Sequence, residues 1–346
     1  MQPLCRFFSV FFIIFFLLSQ NLFAQDVKSF DTAEKIKKFP VSGFIAFSVN
    51  TMIAESREYV CEYDEILSDL KWPLTPSISY TIYGGLYFPK GIHLEGNVSF
   101  MQPMPTASMT DTDFEGIQAT PPQAGITKFS KHNCMIIDGL NWIIKLGLQL
   151  PMPQTVAMRK ADILLTVEPM LSFYYSILSW YSYDGYLQYA KLKSNGTYEP
   201  WTETLPKVMY KGAVVSYQQQ IMMPAIGLGF EVAFPYKLTF SSDFHLTADI
   251  MAAANDIHHT RNLRFLDILD GGWAMHGTIR LNWNCLPFFS VFVNLFYQYC
   301  ISMEGRSILY NGITSTKPSS YTPPNFAGTS LRGCTCSIGC AFRLGR

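Results

Sequence analysis

The chain has 346 residues, and its 26 Lys and Arg balance 26 Asp and Glu, so it carries no electrostatic footprint for a nucleic-acid partner. It is 49% hydrophobic and 15% aromatic but only 15% charged, against about 25% charged in ordinary globular chains. Beyond the N-terminus no stretch reaches the ~18 consecutive apolar residues of a transmembrane helix. Apolar residues without apolar runs predict alternation, the pattern of a membrane β-barrel.

Residues 1–24 read as a secretory signal peptide. Arg6 supplies the positive charge, the run 7–18 is apolar except for Ser9, and Leu22-Phe23-Ala24 forms the cleavage site, so the mature chain starts at Gln25. An uncleaved anchor is the alternative; the short apolar core and the polar Ser19-Gln20-Asn21 favour cleavage. Cys5 precedes the apolar run and is not a lipidation cysteine at the cleavage site. Seven cysteines remain after cleavage, an odd number that cannot all pair within one chain. Cys334, Cys336 and Cys340 would share one strand face; without a paired Cys-x-x-Cys, packing is favoured over a metal site.

Residues 25–40 are polar and charged, a periplasmic lead-in. From Val41 the pattern is extended, with Phe44, Phe47 and Val49 in a run that reaches Glu58 and Val60. A turn is expected near Asp64-Glu65. On the return, Tyr80, Ile82 and Gly84 alternate with Thr81, Tyr83 and Gly85, and Pro89-Lys90-Gly91 turns the chain again. The next strand sets His93, Glu95, Asn97 and Ser99 against Ile92, Leu94, Gly96 and Val98 and ends near Asp111 and Asp113. A Gly-, Pro- and Thr-rich loop follows to about Ser130. A strand then descends to Leu150 and the short turn Pro151-Met152-Pro153. Residues 161–189 climb, and their aromatics, among them Tyr174 and Trp180, suit the interfacial girdle of a barrel. Beyond a polar loop at 191–211, strands are expected at 217–234, 238–254, 264–283, 288–310 and 330–346. The fold class is therefore all-β: an antiparallel up-and-down transmembrane barrel of about ten strands over residues 41–346. Short turns lie at one end and long loops at the other. Strands of ~20 residues exceed the ~9–11 that cross a bilayer, so the barrel extends beyond the outer membrane.

Two pairs of residues carry the chemistry. Asp256 and His258 in Asn255-Asp-Ile-His258 are two apart, so on a strand they share a face, and a carboxylate beside an imidazole makes a general base. Asp111 and Asp113 have the same spacing far upstream.

At these segments the chain resembles the omptins, outer-membrane barrel proteases. Tyr217-Gln-Gln-Gln-Ile-Met-Met-Pro-Ala-Ile-Gly-Leu228 is similar to a well-marked family segment. Ser108-Met-Thr-Asp-Thr-Asp-Phe114 resembles the family's Asp-x-Asp segment, and Asn255 to His258 its Asp-x-His segment. The resemblance implies that Asp256 and His258 activate a water, and that Asp111 and Asp113 hold the water and the substrate carbonyl from the opposite wall. One of the two aspartates would carry a proton for the developing oxyanion. Ser130 and His132 match a supporting segment, and His259 takes no role. Glu58 matches one acidic residue of the family's substrate pocket. Ala254 and Lys128 stand where two more acidic residues are expected, so the pocket is expected to hold one negative charge and cleavage between two basic residues to be disfavoured.

The implied protein is a monomeric surface endopeptidase with its active site on the extracellular side. Its partners are a peptide or protein substrate and outer-membrane lipid, and it uses neither metal nor organic cofactor. The family's lipopolysaccharide partner is set against Gln220, which stands where a basic residue is expected. The final Phe342-Arg-Leu-Gly-Arg346 lacks the usual terminal aromatic residue. A catalytically silent adhesin or ligand-binding barrel, and a narrow porin-like channel, are the competing readings.

Overall fold

The computed structural model describes residues 41–62, 65–114, 125–323 and 326–344. The expected signal peptide and lead-in, residues 1–40, lie outside these. Among the described residues the strand segments, in chain order, are β1 (Ser42–Glu62), β2 (Glu65–Pro73), β3 (Ser77–Tyr87), β4 (Ile92–Met101), β5 (Met104–Phe114), β6 (Ile126–Leu148), β7 (Leu150–Pro151) and β8 (Leu164–Tyr189). They continue as β9 (Val208–Phe234), β10 (Leu238–Thr247), β11 (Ile250–His258), β12 (Leu263–Gly271), β13 (Ala274–Leu286), β14 (Phe289–Asn311), β15 (Ser320–Tyr321) and β16 (Ala327–Leu344).

Four staves are broken at mid-height, each into two segments: β2 with β3, β4 with β5, β10 with β11, and β12 with β13. With β1, β6, β8, β9, β14 and β16 they make ten antiparallel staves in sequence order. The last stave returns to the first: β16 pairs with β1 from Gly43↔Leu344 to Val60↔Ala327. Closure leaves no strand edge whose N–H and C=O groups would face lipid unpaired.

Alternation explains both surfaces of the wall. On β1, Ile45, Phe47, Val49 and Ile53 are exposed while Ala46, Ser48, Asn50 and Ala54 are buried. On β14, Val291, Val293 and Leu295 face out while Ser290, Asn294 and Gln298 are buried. Apolar residues outside and polar ones within is the inverse of a soluble core and the arrangement that lipid requires. Cys334, Cys336 and Cys340 share the outward face, paired in register with Tyr297, Leu295 and Val291, and all three are free thiols.

The structure corrects three sequence expectations. Strand β6 starts at Ile126, so Lys128 and Ser130 belong to a strand and not to a loop. The turn after Leu150 includes a short helix, α1 (Val156–Lys160), nucleated where the Thr155 hydroxyl accepts from the Met158 N–H. Tyr174 and Trp180, two of the aromatics expected in an interfacial girdle, are instead buried in the lumen, while Phe173, Tyr175 and Tyr181 lie on the alternate face of the same strand. Successive strand residues must face opposite ways, so an aromatic-rich strand fills the lumen as well as lining the outside.

Those inward aromatics form a layer across the barrel. Trp72, Trp180 and Tyr217, from three different staves, pack with ring centroids 5.3–6.1 Å apart. Met109, Ile221, Met223, Leu269 and Met303 surround them, all fully buried. On one side of the layer lies a polar chamber of about 680 Å³, lined by groups such as Asn50, Lys145, Asp243 and Arg280. On the other, toward the long loops, a cleft of about 570 Å³ opens.

Candidate active site

Strand β11 presents Ile250, Ala252, Ala254 and Asp256 to the interior in strict alternation. His258 continues that face. Its Nε2 lies 2.6 Å from Asp256 Oδ2. The strand is held on both sides, with Asp256 in register with Tyr217 of β9 and Phe265 of β12. Phe265 also meets the imidazole edge-on, at 5.3 Å between centroids. The ring is thus fixed by packing and by the carboxylate together.

Asp111 and Asp113 lie on β5, in register with Ser130 and Lys128 of β6. The Lys128 ammonium donates to both, at 2.7 Å to Asp111 Oδ2 and 2.9 Å to Asp113 Oδ2. The Ser130 hydroxyl approaches Asp111 Oδ2 at 3.4 Å. From β2, the Ser68 hydroxyl lies 2.8 Å from Asp113 Oδ1 and 3.3 Å from Asp111 Oδ1. Both aspartates, Lys128, Ser130, Asp256, His258 and Glu58 line the one cleft.

The cleft holds one more carboxylate than the sequence motifs point to. Ala254 is buried and does not line it. Asp267 of β12 is in register with Ala254, is itself buried, and lines the cleft beside Glu58 and Asp256. Beside Glu58 there is thus a second carboxylate: one absent from β11 is present on β12. Sequence spacing could not reveal this, because the pairing of β11 with β12 decides it. Ser68 escaped notice for the same reason. His132 is buried with Nδ1 on the Asp184 carbonyl, and His259 lies outside the cleft, 2.7 Å from the Ser216 hydroxyl. Gln220 pairs with Ala253, on the face opposite the cleft residues.

A model of the Omptin family matches residues 41–344. The chain belongs to the omptin family. No curated protein matches this omptin in sequence. Among solved structures it is similar to the outer membrane protease OmpT of Escherichia coli, at 14% identity and a TM-score of 0.71, over 91% of this chain and 100% of that one. At that identity the likeness is one of fold: a ten-stave outer-membrane barrel. Ail of Yersinia pestis is matched over 88% of this chain and 99% of its own, at 6% identity and a TM-score of 0.28. OprG of Pseudomonas aeruginosa is matched over 90% and 100%, at 7% identity and 0.28. Likeness this slight carries no functional comparison.

The electrostatics of this omptin's cleft follow from burial among like charges. Burial lowers the pKa of His258, helped by Arg261 and Lys128 and opposed by Glu58 and Asp111. The imidazole is thus neutral near pH 7, as a base must be. Glu58 is raised well above the ordinary carboxylate range by burial and by the charges of Asp256 and Asp267. Asp256 is raised by burial and Asp267, but its contact with Glu58 works the other way. Burial pushes Asp267 up to about 6, with Ser307 and His258 acting in opposition. One oxygen of Glu58 and one of Asp256 are buried without any partner. Among the described residues no cluster of His, Cys, Asp and Glu is arranged to hold a metal ion.

Proposed function

We propose that this omptin is a surface endopeptidase that hydrolyses peptide bonds with an activated water, its cleft facing outward from the outer membrane. The observation that carries the reading is the 2.6 Å contact of His258 with Asp256 in the cleft that Asp111 and Asp113 line from another stave. His258 takes a proton from water as the oxygen attacks the carbonyl carbon. Asp256 stabilises the imidazolium so formed, and the imidazolium returns the proton to the departing amine. No covalent intermediate is needed, and no Ser or Cys nucleophile enters the scheme. The outward orientation is supported by the short turns at the opposite end of the barrel, the arrangement usual for the periplasmic side.

The charge distribution supports a specificity distinct from a dibasic one. Glu58 and Asp267 offer carboxylates to one basic side chain. Lys128 places a cation beside Asp111 and Asp113 and disfavours a second. The test is digestion of a peptide library by the purified, refolded barrel, with and without lipopolysaccharide. Cleavage next to a single basic residue is expected. If no peptide is cut under either condition, the hydrolase reading fails.

A further inference from the structure

Lys128 is the unusual member of the cleft. Its side chain is 14% exposed, and it reaches two carboxylates at once, 2.7 Å from Asp111 and 2.9 Å from Asp113. Those aspartates are two apart on one strand and face the same way, so their charges repel. Ser68 and Ser130 are hydroxyl donors and cannot neutralise either charge. Among the described residues, Lys128 is the cation in contact with the pair. The cross-strand register places Lys128 directly opposite Asp113 and Ser130 opposite Asp111. The lysine stem is therefore anchored on a strand and its head is held by two charge-assisted bonds, a geometry that needs little ordering of a free surface side chain.

We propose that Lys128 is a positioning residue, a built-in counter-ion that holds Asp111 and Asp113 in the one orientation in which they can grip the attacking water. Two of its three ammonium donors are spent on the pair. Without it, the carboxylates turn away from each other, and the water they share is no longer aligned with His258. The water-holding role rests on the hydrolase reading above; the tether itself rests only on the contacts.

The experiment replaces the lysine and then supplies a loose ammonium. Lys128→Ala should lower kcat by roughly 100-fold, the loss expected when reacting groups are misplaced by about 1 Å. KM for a peptide with no charge beyond the cut bond should hardly change. Ethylammonium should restore activity in a saturable way. Tetramethylammonium, which has charge but no N–H, should not. Lys128→Arg, which keeps a two-pronged cation, should retain most of the activity. An intact barrel is verified in each variant by its heat-modifiable gel mobility. A second arm needs no activity: ethylammonium should raise the melting temperature of Lys128→Ala and leave that of Lys128→Ala/Asp113→Asn unmoved. If the natural protein cuts nothing, the hydrolase reading falls, and the melting arm alone decides the tether. Near-normal kcat in Lys128→Ala, or an identical melting response in both variants, would overturn the proposal.

Discussion

Asp267 stands directly across from Ala254 in the antiparallel register of β11 and β12, so a carboxylate on one strand fills the place beside a methyl group on the other. Both side chains are buried, but Asp267 is the one that reaches the cleft. The relationship predicts substrate choice. Asp267→Asn should lower kcat/KM for a peptide with a single Arg by about 30-fold or more, since removing one partner of a buried charge contact costs ~2–5 kcal/mol. A matched peptide with Gln in place of Arg should be affected far less. Equal losses for the two peptides would show that Asp267 is structural.

The two walls of the cleft should respond differently to charge reversal. Lys128→Asp exchanges an ammonium for a carboxylate in the cleft wall, a change of two negative charges. The ratio of kcat/KM for a dibasic peptide to that for a single-Arg peptide should rise in that variant, even as its overall rate falls with the loss of the Lys128 counter-ion, and dibasic cleavage should be weak in the natural protein. Library profiling of both proteins checks this, and efficient dibasic cleavage by the natural protein would contradict the assignment.

Asp256→Ala and His258→Ala should each abolish cleavage and leave the barrel folded. Both residues line the cleft, on the loop side of the aromatic layer, and neither belongs to the apolar face that meets lipid. Activity close to normal in His258→Ala would remove the base from the mechanism.

Acidity should separate the roles of His258 and Glu58. His258 works as the neutral base, and its pKa is lowered by burial. Activity toward a neutral peptide should therefore persist as pH falls below ~6.5, the ordinary imidazole value, and then drop as the ring charges. Glu58 has the opposite sign: its pKa is raised, so it holds a proton until the pH climbs through that value. Only the ionised form pairs with a basic side chain. For an Arg peptide kcat/KM should go on rising with pH after the Gln peptide has levelled off. Coincident pH profiles would exclude Glu58 from the pocket.

Much of the barrel is legible in the chain because a period of two is a local property. Ile45 to Asn50 announces its lipid and lumen faces without knowledge of any partner. The common face of Asp256 and His258 is legible for the same reason, since two residues separated by one on a strand point the same way. What escapes are relationships between strands. Asp267 beside Ala254, Ser68 beneath Asp113, and Lys128 across from Asp113 all depend on register, and register is set by the whole closed sheet. Trp72, Trp180 and Tyr217 show the same limit, because Trp180 and Tyr217 meet through the register of β8 with β9 and Trp72 reaches them from β2 across the lumen.

That layer of three rings makes the barrel a bulkhead. A protein that opens a cleft in the cell's outer permeability barrier risks leaking ions and small solutes through its own lumen. Here Trp72, Trp180 and Tyr217, with the methionines around them, leave the cleft and the lower chamber as separate compartments. A molecule that enters the cleft by its mouth can leave only by the same mouth. The same seal allows the cleft to become more polar and more highly charged over evolution without cost to the membrane it sits in.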